Sequence, residues 1–389
     1  MSRPLHAQVL LARARFSPGE IDGVAGSNQA RALRGFQAAR GLEVSGELDD
    51  ATWDALAADA SPALIDHTLT AEDLAAPYVE VPDDMMEKSK LDRLGYASAW
   101  EALGERFHSS PELLQSLNPD VDPRVGATLR VPNVRDLPPL AKAARIVVSE
   151  SDATLVVLDG NDRVMAQFPV TSGSEKDPLP IGEWTVETVA MDPTFHYNPE
   201  LFWDADPEHS KATVAAGPNN PVGPVWIDLS KPHYGIHGTP EPARVGKTAS
   251  NGCVRLTNWD VLALVDAVEA GTPVEGLALV SAAWCRYCLG VTESDEAIPA
   301  NDPIWSDLLA KAQDARERPQ AWLEQRAIYG DLADQPRFAE AFARWLRVIH
   351  AEGMDAALRA YNARLGRLSD ETKESGASDE DRRRAGGLP

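Results

Sequence analysis

Apolar residues recur at helical spacing after Gly26-Ser27, near the start of the chain. The positions that share one face of this segment are Ala30, Leu33 and Phe36. Gly41 interrupts the pattern, and Asp49 can cap a further short helix. The spacing therefore predicts a small helical module over residues 1–59.

Residues 60–90 are rich in Pro and acidic residues and lack a sustained period, which is typical of a linker. A second small module is predicted at 91–134. Ser110-Pro111 supplies an N-cap and a first-turn proline for a helix that Asn118-Pro119 ends. A short strand is then expected at 128–131.

Between residues 143 and 222 the hydrophobic period changes to two, and β-branched residues become frequent. Strands are predicted at 145–148, 154–158, 164–170 and 184–189. The sequence Asp159-Gly160-Asn161-Asp162 is predicted to form a tight hairpin turn between the second and third of these strands. Several short strands with Gly and Pro between them favour a β-sandwich or barrel-like core.

One more helix is predicted after this β-rich region. Asn258 can cap it, and Gly271 can close it. Its predicted buried stripe consists of Val261, Leu262, Leu264, Val265 and Val268.

Composition narrows the functional classes. The 389 residues are 43% hydrophobic and 25% charged, which suits globular domains, and the formal net charge of -23 argues against nucleic acid as a partner. No apolar run is long enough to span a membrane, and the N-terminal residues show no secretory signal. The three cysteines, at 253, 285 and 288, cannot form a disulfide framework. The histidines show no zinc-ligand spacing, so we expect no metal.

One histidine and one cysteine stand in a setting suited to nucleophilic catalysis. His237-Gly238 lies sixteen residues before Cys253, which Gly252 directly precedes. A thiol with an ordinary pKa of about 8.5 is mostly protonated at neutral pH, so it needs a histidine within reach to ionise. The Gly238 carbonyl can hold the imidazole tautomer, and Gly252 allows a tight turn.

Neighbouring residues fit the other tasks of acyl transfer. Backbone N–H groups around Asn251, Gly252 and Cys253 could form an oxyanion hole, and Arg255 suits a substrate carboxylate. The alternative is that Cys253 is a small buried apolar residue, because a lone Cys and His that are near in sequence prove little.

The composite motif decides between these interpretations. His237-Gly238-Thr239 followed by Ser-Asn-Gly-Cys-Val-Arg-Leu at 250–256 resembles the active-site signature of the L,D-transpeptidase catalytic domain. The similarity extends upstream through 220–236, so residues 143–274 are identified as a member of this family. The resemblance implies that Cys253 attacks a peptidoglycan tetrapeptide stem, releases D-alanine, and passes the acyl group to an amine or to water.

The resemblance also implies residue roles. Cys253 would be the nucleophile and His237 the base and later the acid, while the Gly238 carbonyl orients the imidazole. The residues expected to bind substrate are Tyr234, Ser250, Asn251, Gly252, Arg255 and Trp226, although core packing is the alternative for Trp226. Enzymes of this family use no cofactor, carbapenems acylate their cysteine, and their site of action is the periplasm or cell wall.

Flanking segments resemble other families. Residues 16–23 together with 32–37 are similar to a three-helix peptidoglycan-binding module, and 107–132 to the second half of a LysM glycan-binding domain. Residues 276–365 resemble the C-terminal helical part of mannitol 2-dehydrogenases, but no Gly-x-Gly fingerprint precedes them, so no hydride transfer is expected. The charged tail at 369–389 is expected to be disordered.

These predictions describe a multidomain α+β protein. A β-sandwich-type L,D-transpeptidase core is flanked by an N-terminal three-helix module and an all-α C-terminal region. The expected partners are peptidoglycan stem peptides and glycan, with no nucleic acid and no membrane span. Two alternatives remain: a wall-binding protein whose catalytic domain lost its closing strand near Glu275, and a polyol dehydrogenase.

Overall fold

The computed structural model describes residues 2–135, 137–150, 152–173, 179, 182–201, 205–250 and 252–277. The tail expected at 369–389 lies outside the described residues, as does the helical region expected at 276–365 beyond its first two residues. In the described part of the chain, no helix is both long enough and apolar enough to cross a membrane.

The N-terminal module has three helices, namely α1 (Arg3–Arg13), α2 (Ser27–Ala39) and α3 (Asp50–Ala57). The Asp49 carboxylate accepts a hydrogen bond from the Thr52 N–H at 2.7 Å, so it caps α3 as the sequence predicts. One apolar cluster joins the helices, and its buried members are Leu10, Leu11, Phe16, Ala32, Leu33, Phe36 and Leu56. Burial of this shared face stabilises helices that are too short to be stable alone.

Residues 64–132 form a second module around a two-stranded antiparallel sheet. Strand β1 (Leu64–Thr68) pairs with β2 (Thr128–Pro132). The helices between them are α4 (Ala71–Leu74), α5 (Met85–Lys88), α6 (Ala99–Arg106) and α7 (Pro111–Leu117). Their shared core consists of Leu69, Leu103, Phe107, Leu114, Leu129 and Val131.

The structure differs here from the linker expected at 60–90, because β1, α4 and α5 all lie in that range. Strand β1 has only five residues and weak alternation, so its own sequence carries little periodic signal. It is stabilised by a partner far along the chain, with Thr68 opposite Thr128. A pairing between segments so distant in sequence cannot be deduced from local pattern.

A mixed eight-stranded sheet forms the core of the third region. Its strands are β3 (Arg145–Ser149), β4 (Thr154–Leu158), β5 (Val164–Pro169), β6 (Gly182–Met191), β9 (Val225–Leu229), β10 (Gly235–His237), β11 (Val254–Arg255) and β12 (Pro273–Leu277). A separate hairpin consists of β7 (Phe195–Tyr197) and β8 (Ala212–Val214). The order of neighbours in the large sheet is β11-β10-β9-β6-β12-β3-β4-β5. The four strands predicted from alternation are confirmed as β3, β4, β5 and β6. The hairpin turn predicted at 159–162 is also confirmed, since it connects β4 with β5.

The two ends of this sheet approach each other. Thr171, just after edge strand β5, exchanges two backbone hydrogen bonds with Arg255 in the other edge strand, at 2.8 and 2.9 Å. Buried side chains from both halves of the sheet and from helix α8 (Asn258–Ala267) form one apolar cluster. A single sheet folded onto itself therefore takes the place of the separate layers of the expected β-sandwich.

The last described strand, β12, lies in the middle of the sheet. It pairs parallel with β3 and antiparallel with β6, so that Val274 is opposite both Ile146 and Trp184. Glu275 is part of this strand, and its carboxylate accepts a hydrogen bond from Arg145 at 3.0 Å. The hypothesis that the closing strand is lost near Glu275 is therefore wrong, and the sheet is complete by residue 277.

Helix α8 corrects three details of the prediction, the first of which is that it ends at Ala267 rather than at Gly271. Its N-cap is Thr257 rather than Asn258, because the Thr257 hydroxyl accepts the Asp260 N–H at 3.2 Å. Leu262 was expected in the buried stripe but is 43% exposed, whereas Val261 and Leu264 are fully buried. Positions three residues apart share the face that meets the sheet, and Leu262 lies off that face.

The N-terminal module covers edge strand β5. Phe16 forms a parallel β-bridge with Gln167. The Gln167 backbone accepts a hydrogen bond from the Ser17 N–H and donates one to the Arg15 carbonyl, both at 2.8 Å. Helix α2 has Gly35 at the contact, where a Cβ would lie only 2.1 Å from Gln167 Oε1. The backbone of the N-terminal module therefore pairs with backbone groups at the β5 edge of the sheet that no other strand of the sheet would satisfy.

Three carboxyl groups with raised pKa values lie where the modules meet, of which Asp260 is buried and Glu20 and Glu105 are partly buried. Burial is the main cause that raises the pKa of Glu20 to about 7 and the pKa of Glu105 to about 8. Burial also raises the pKa of Asp260 to about 7, although the Ser17 hydroxyl donates to its carboxyl group at 2.8 Å. At neutral pH these groups hold protons that an exposed carboxyl would have lost.

We predict that thermal stability decreases as the pH rises from about 6.5 to about 8. The unfolded chain has lost these three carboxyl protons in that range while the folded chain still binds part of them, so the free energy of unfolding falls as pH rises. Below about 6.5 the buried His108 and His237, whose pKa values burial lowers to about 3, contribute in the opposite direction. Circular dichroism melts should show a Tm lower by about 5 °C at the higher pH.

The control for this prediction is Asp260→Asn, which keeps the shape of the side chain and removes its titration. This variant should show a smaller decrease of Tm over the same pH range. A Tm that stays constant or rises between these pH values in the native protein would contradict the prediction.

Candidate active site

Three adjacent strands bring the candidate catalytic residues to one face of the sheet. His237 of β10 lies opposite Trp226 of β9 on one side and Arg255 of β11 on the other. Cys253 lies two residues before Arg255, directly before the start of β11. The backbone N–H of Gly235, two residues before His237, donates to the Cys253 sulfur. The strand pairing therefore brings the segment that carries Cys253 beside the strand that carries His237.

The Cys253 sulfur lies beside the turn that connects β9 and β10. Its thiol can donate to the His233 carbonyl oxygen, 3.7 Å from Sγ. His233 has a φ of 69°, in the left-handed region that non-glycine residues seldom adopt and that often marks functional sites. Cys253 as a residue is partly exposed, although its thiol is sufficiently buried to affect its pKa.

The loop before the cysteine needs glycine. Gly252 has a φ of 95°, and a Cβ there would lie 2.6 Å from Cε1 of Tyr234. The Ser250 hydroxyl donates to the Cys253 carbonyl at 2.6 Å, and the Ser250 N–H donates to the Gly173 carbonyl at 2.9 Å. These contacts define the turn that presents the thiol.

His237 is held in one tautomer by its neighbour. Its Nδ1 lies 2.6 Å from the Gly238 carbonyl oxygen, and since a carbonyl only accepts, Nδ1 carries the proton. The Trp226 ring stacks on the imidazole with centroids 5.5 Å apart and planes 19° apart. His237 is 4% exposed. This arrangement leaves Nε2 unprotonated, as a general base requires.

Burial keeps both groups neutral before substrate arrives. Burial, with a smaller effect from the Arg255 charge, lowers the pKa of His237 to about 3. Burial raises the pKa of the Cys253 thiol, and the Gly235 N–H and the Arg255 charge offset part of that effect. At neutral pH these shifts favour a protonated thiol and a neutral imidazole.

Some residues expected to bind substrate contact other parts of the site instead. Ser250 is 6% exposed and its hydroxyl is bound to the Cys253 backbone, so it shapes the loop. Trp226 packs on the His237 ring. Asn251 lies outside the described residues.

Arg255 acts on both catalytic groups through its charge. A cation beside the thiol lowers the pKa of Cys253, and the same cation lowers the pKa of His237. The Arg255 Nε is buried without a hydrogen-bond partner among the described residues. The side chain thus favours thiolate and disfavours imidazolium, an effect that the motif alone does not reveal.

Sequence reasoning missed Lys231 and the importance of Gly235. The Lys231 ammonium lies 4.8 Å from the Tyr234 ring centroid and 5.1 Å from that of Trp184, within range of cation–π attraction. At Gly235 a Cβ would lie 2.5 Å from the Trp226 ring. The signal that could have found both is the short spacing between β9 and β10, which makes residues 230–234 a hairpin turn beside the catalytic strand.

Comparison with families of known proteins gives three matches along the chain. The L,D-transpeptidase catalytic domain matches residues 143–275, and a peptidoglycan binding domain matches 3–56. The mannitol dehydrogenase C-terminal domain matches 243–350. The first and third matches overlap where the structure has β11, α8 and β12, which belong to the catalytic sheet.

Individual relatives agree with these matches. L,D-transpeptidase YkuD of Bacillus licheniformis is 30% identical over 177 residues, which are 45% of this chain and 90% of that protein. Mannitol 2-dehydrogenase of Cereibacter sphaeroides is 41% identical over 113 residues, which are 29% of this chain and 24% of that protein. A solved L,D-transpeptidase from Mycobacterium smegmatis also matches, with a TM-score of 0.28 and 20% sequence identity. The match covers 42% of this chain and 79% of that one.

The chain belongs to the L,D-transpeptidase family of peptidoglycan crosslinking enzymes, since it covers nearly all of a family member at this identity. It spans only about a quarter of the mannitol 2-dehydrogenase, so that similarity concerns a C-terminal segment alone.

We predict that Gly252→Ala lowers the reactivity of the catalytic thiol. The new methyl group would displace the Tyr234 ring and the turn, and a displacement of about 1 Å can cost on the order of 100-fold in rate. Alkylation of Cys253 by iodoacetamide, followed by mass spectrometry of its peptide, should slow by at least about tenfold.

The matched control is Gly271→Ala. Gly271 has a similar φ of 90° but no atom within 4 Å of its ideal Cβ position, so it shares the backbone strain without the clash. Alkylation at the native rate is expected for Gly271→Ala, and equal rates in both variants would show that the Tyr234 contact is unimportant.

Proposed function

We propose that this protein is a cysteine-dependent L,D-transpeptidase that acts on peptidoglycan stem peptides. The observation that carries the proposal is the pairing of β10 with β11, which brings the segment that holds the partly exposed residue Cys253 beside His237, whose Nδ1 is bound to the Gly238 carbonyl. Membership of the L,D-transpeptidase family and the peptidoglycan binding match at residues 3–56 support the substrate class.

In the first step Cys253 attacks the carbonyl carbon between the L-centre of the diamino acid and the terminal D-alanine of a tetrapeptide. His237 Nε2 takes the thiol proton as the carbon–sulfur bond forms. The resulting imidazolium then gives that proton to the departing amine as the carbon–nitrogen bond breaks. D-Alanine leaves with its amine complete, and the stem remains bound as a thioester.

In the second step an amine from another stem attacks the thioester. His237 takes a proton from that amine and returns it to the sulfur, which restores the thiol. The products are a crosslinked peptide and the original enzyme. If water attacks instead, the same proton transfers give a shortened stem.

The N-terminal modules fit this substrate. The first is the part of the chain that the peptidoglycan binding domain matches, and it contacts the loop between His237 and Cys253 directly. Asn28 Nδ2 donates to the Val245 carbonyl at 2.8 Å, and Arg31 donates to the Gly246 carbonyl at 3.1 Å. A module that binds the wall would therefore hold the catalytic loop near its polymer. We propose that the protein acts in the periplasm or cell wall.

We predict that Cys253→Ala abolishes D-alanine release from a tetrapeptide muropeptide, because no other group replaces the thiolate. Release measured with a coupled D-amino acid oxidase assay should fall to the level of buffer. Intact-protein mass spectrometry should show one carbapenem adduct on the native protein and none on this variant.

The control is the double variant Cys285→Ala, Cys288→Ala, which removes the other two thiols of the chain. It should keep both D-alanine release and the carbapenem adduct. Release by Cys253→Ala at the native rate would end the proposal of cysteine catalysis.

We predict that Lys231→Met weakens substrate binding more than it slows chemistry. Stem peptides carry free carboxylates, and an ammonium beside Tyr234 and Trp184 is placed to attract one at the mouth of the site. The KM for the tetrapeptide should rise by about fivefold, while kcat stays within about twofold. Lys247→Met is the control, since it removes an exposed cation nearby. A kcat loss without a change in KM would contradict this role.

A further inference from the structure

The first turn of helix α8 joins the catalytic domain to both N-terminal modules. Three consecutive residues make the contacts: Asn258 Nδ2 donates to Glu105 Oε1 at 3.1 Å, the Trp259 ring stacks on His108 with centroids 5.3 Å apart, and Asp260 Oδ2 accepts from Ser17 Oγ at 2.8 Å. Neither catalytic residue is among them. Asn258, which makes the first of these contacts, also binds the backbone N–H two residues after His237.

The Asn258 amide lies behind the strand end that carries His237. Its Oδ1 accepts the Thr239 N–H at 2.8 Å. Thr239 follows Gly238, and the Gly238 carbonyl is the group that holds the imidazole Nδ1. The other end of the amide donates to Glu105 and, at 3.2 Å, to the Pro218 carbonyl.

The space around this amide admits little movement. A Cβ added at Gly238 would lie 2.4 Å from Asn258 Oδ1, and one at Gly223 would lie 2.3 Å from the same oxygen. Two glycines therefore leave room for the amide oxygen between the strand end and the preceding turn. Asn258 is 2% exposed, so water does not replace a lost contact easily.

The two acceptors determine which way the amide faces. An asparagine amide has almost the same shape with oxygen and nitrogen exchanged, so only its hydrogen-bond partners choose the orientation. Glu105 and Pro218 each accept one Nδ2 hydrogen, which directs Oδ1 toward the Thr239 N–H. Without the Glu105 acceptor, one buried N–H would be unpaired and the preference would weaken.

We infer that Asn258 and Glu105 are positioning residues of the catalytic site. Glu105, on helix α6 of the second module, orients the Asn258 amide. Asn258 in turn holds the backbone at Thr239 and hence the Gly238 carbonyl that orients His237. The second module is thereby a structural part of the active site in addition to any role in binding the wall. This inference rests on the proposed function of Cys253 and His237.

The test compares Glu105→Met, which keeps the length of the side chain without its acceptor, with Glu105→Gln, which keeps an amide oxygen as acceptor. Glutamine also resembles the uncharged carboxyl that burial favours at this position. In Glu105→Met the kcat for D-alanine release should fall by about tenfold while KM stays within about twofold. Glu105→Gln should recover most of the lost rate. Glu112→Met removes an exposed carboxylate from helix α7 and should match the native protein.

A second readout does not require the proposed activity. Iodoacetamide alkylation of Cys253 at neutral pH depends on proton removal by His237, so it should slow in Glu105→Met by a similar factor. As the pH rises, hydroxide ionises the thiol, whose pKa burial raises, without help from His237, and the difference between the variants should become smaller. A variant that is merely less stable would not show this dependence on pH.

The outcomes separate the inference from the proposed function. If the native protein releases no D-alanine, the proposed function fails, and the alkylation series alone decides the positioning role. If D-alanine is released and Glu105→Met equals the native protein in kcat and alkylation, the inference is overturned. If Glu105→Met does not fold, Asn258→Asp, which keeps an acceptor for Thr239 and removes both donors, is measured in its place. Native kcat and alkylation in that variant would also overturn the inference.

Discussion

The hydrogen bond between His237 Nδ1 and the Gly238 carbonyl is the contact on which the site depends. It places the proton on Nδ1 and leaves Nε2 as the base. Burial then keeps the imidazole uncharged, and burial also keeps the Cys253 thiol protonated. The Arg255 cation lowers the pKa of the thiol and also lowers the pKa of the imidazole.

This contact is supported from well outside the catalytic strands. The two edges of the sheet are joined by backbone hydrogen bonds between Thr171 and Arg255, so β11 lies beside the end of β5. The N-terminal module pairs its backbone with Gln167 on that same β5 edge. Asn258 connects the segment that follows β10, at Thr239, to Glu105 of the second module. The N-terminal modules are therefore packed against the catalytic unit by polar contacts, and burial raises the pKa of the Glu105 and Asp260 carboxyl groups at the junctions.

Much of the fold could be predicted from local pattern. Strands β3, β4, β5 and β6 of the catalytic core and helices α2 and α3 of the first module could be predicted because their residues alternate or recur at a clear period, whereas β9, β10 and β11 were not predicted. The sequence at 60–90 predicts a linker, whereas the structure has β1 there, because β1 is short and is stabilised by β2, which lies far along the chain. The closing strand β12 was missed for a similar reason, since Val274 and Glu275 derive their strand conformation from pairing with β3 and β6 on either side.

By itself, the sequence determined which residues can do the chemistry, because the types and spacing of His237, Gly238, Gly252 and Cys253 suit a nucleophile with an oriented base. Only the tertiary structure decided how those groups are charged and supported. The pKa values depend on burial and on the Arg255 cation, and the support depends on contacts such as Asn258 with Glu105, 153 positions apart. Burial and long-range hydrogen bonds are properties of chain segments brought together in space, and local spacing along the sequence does not encode them.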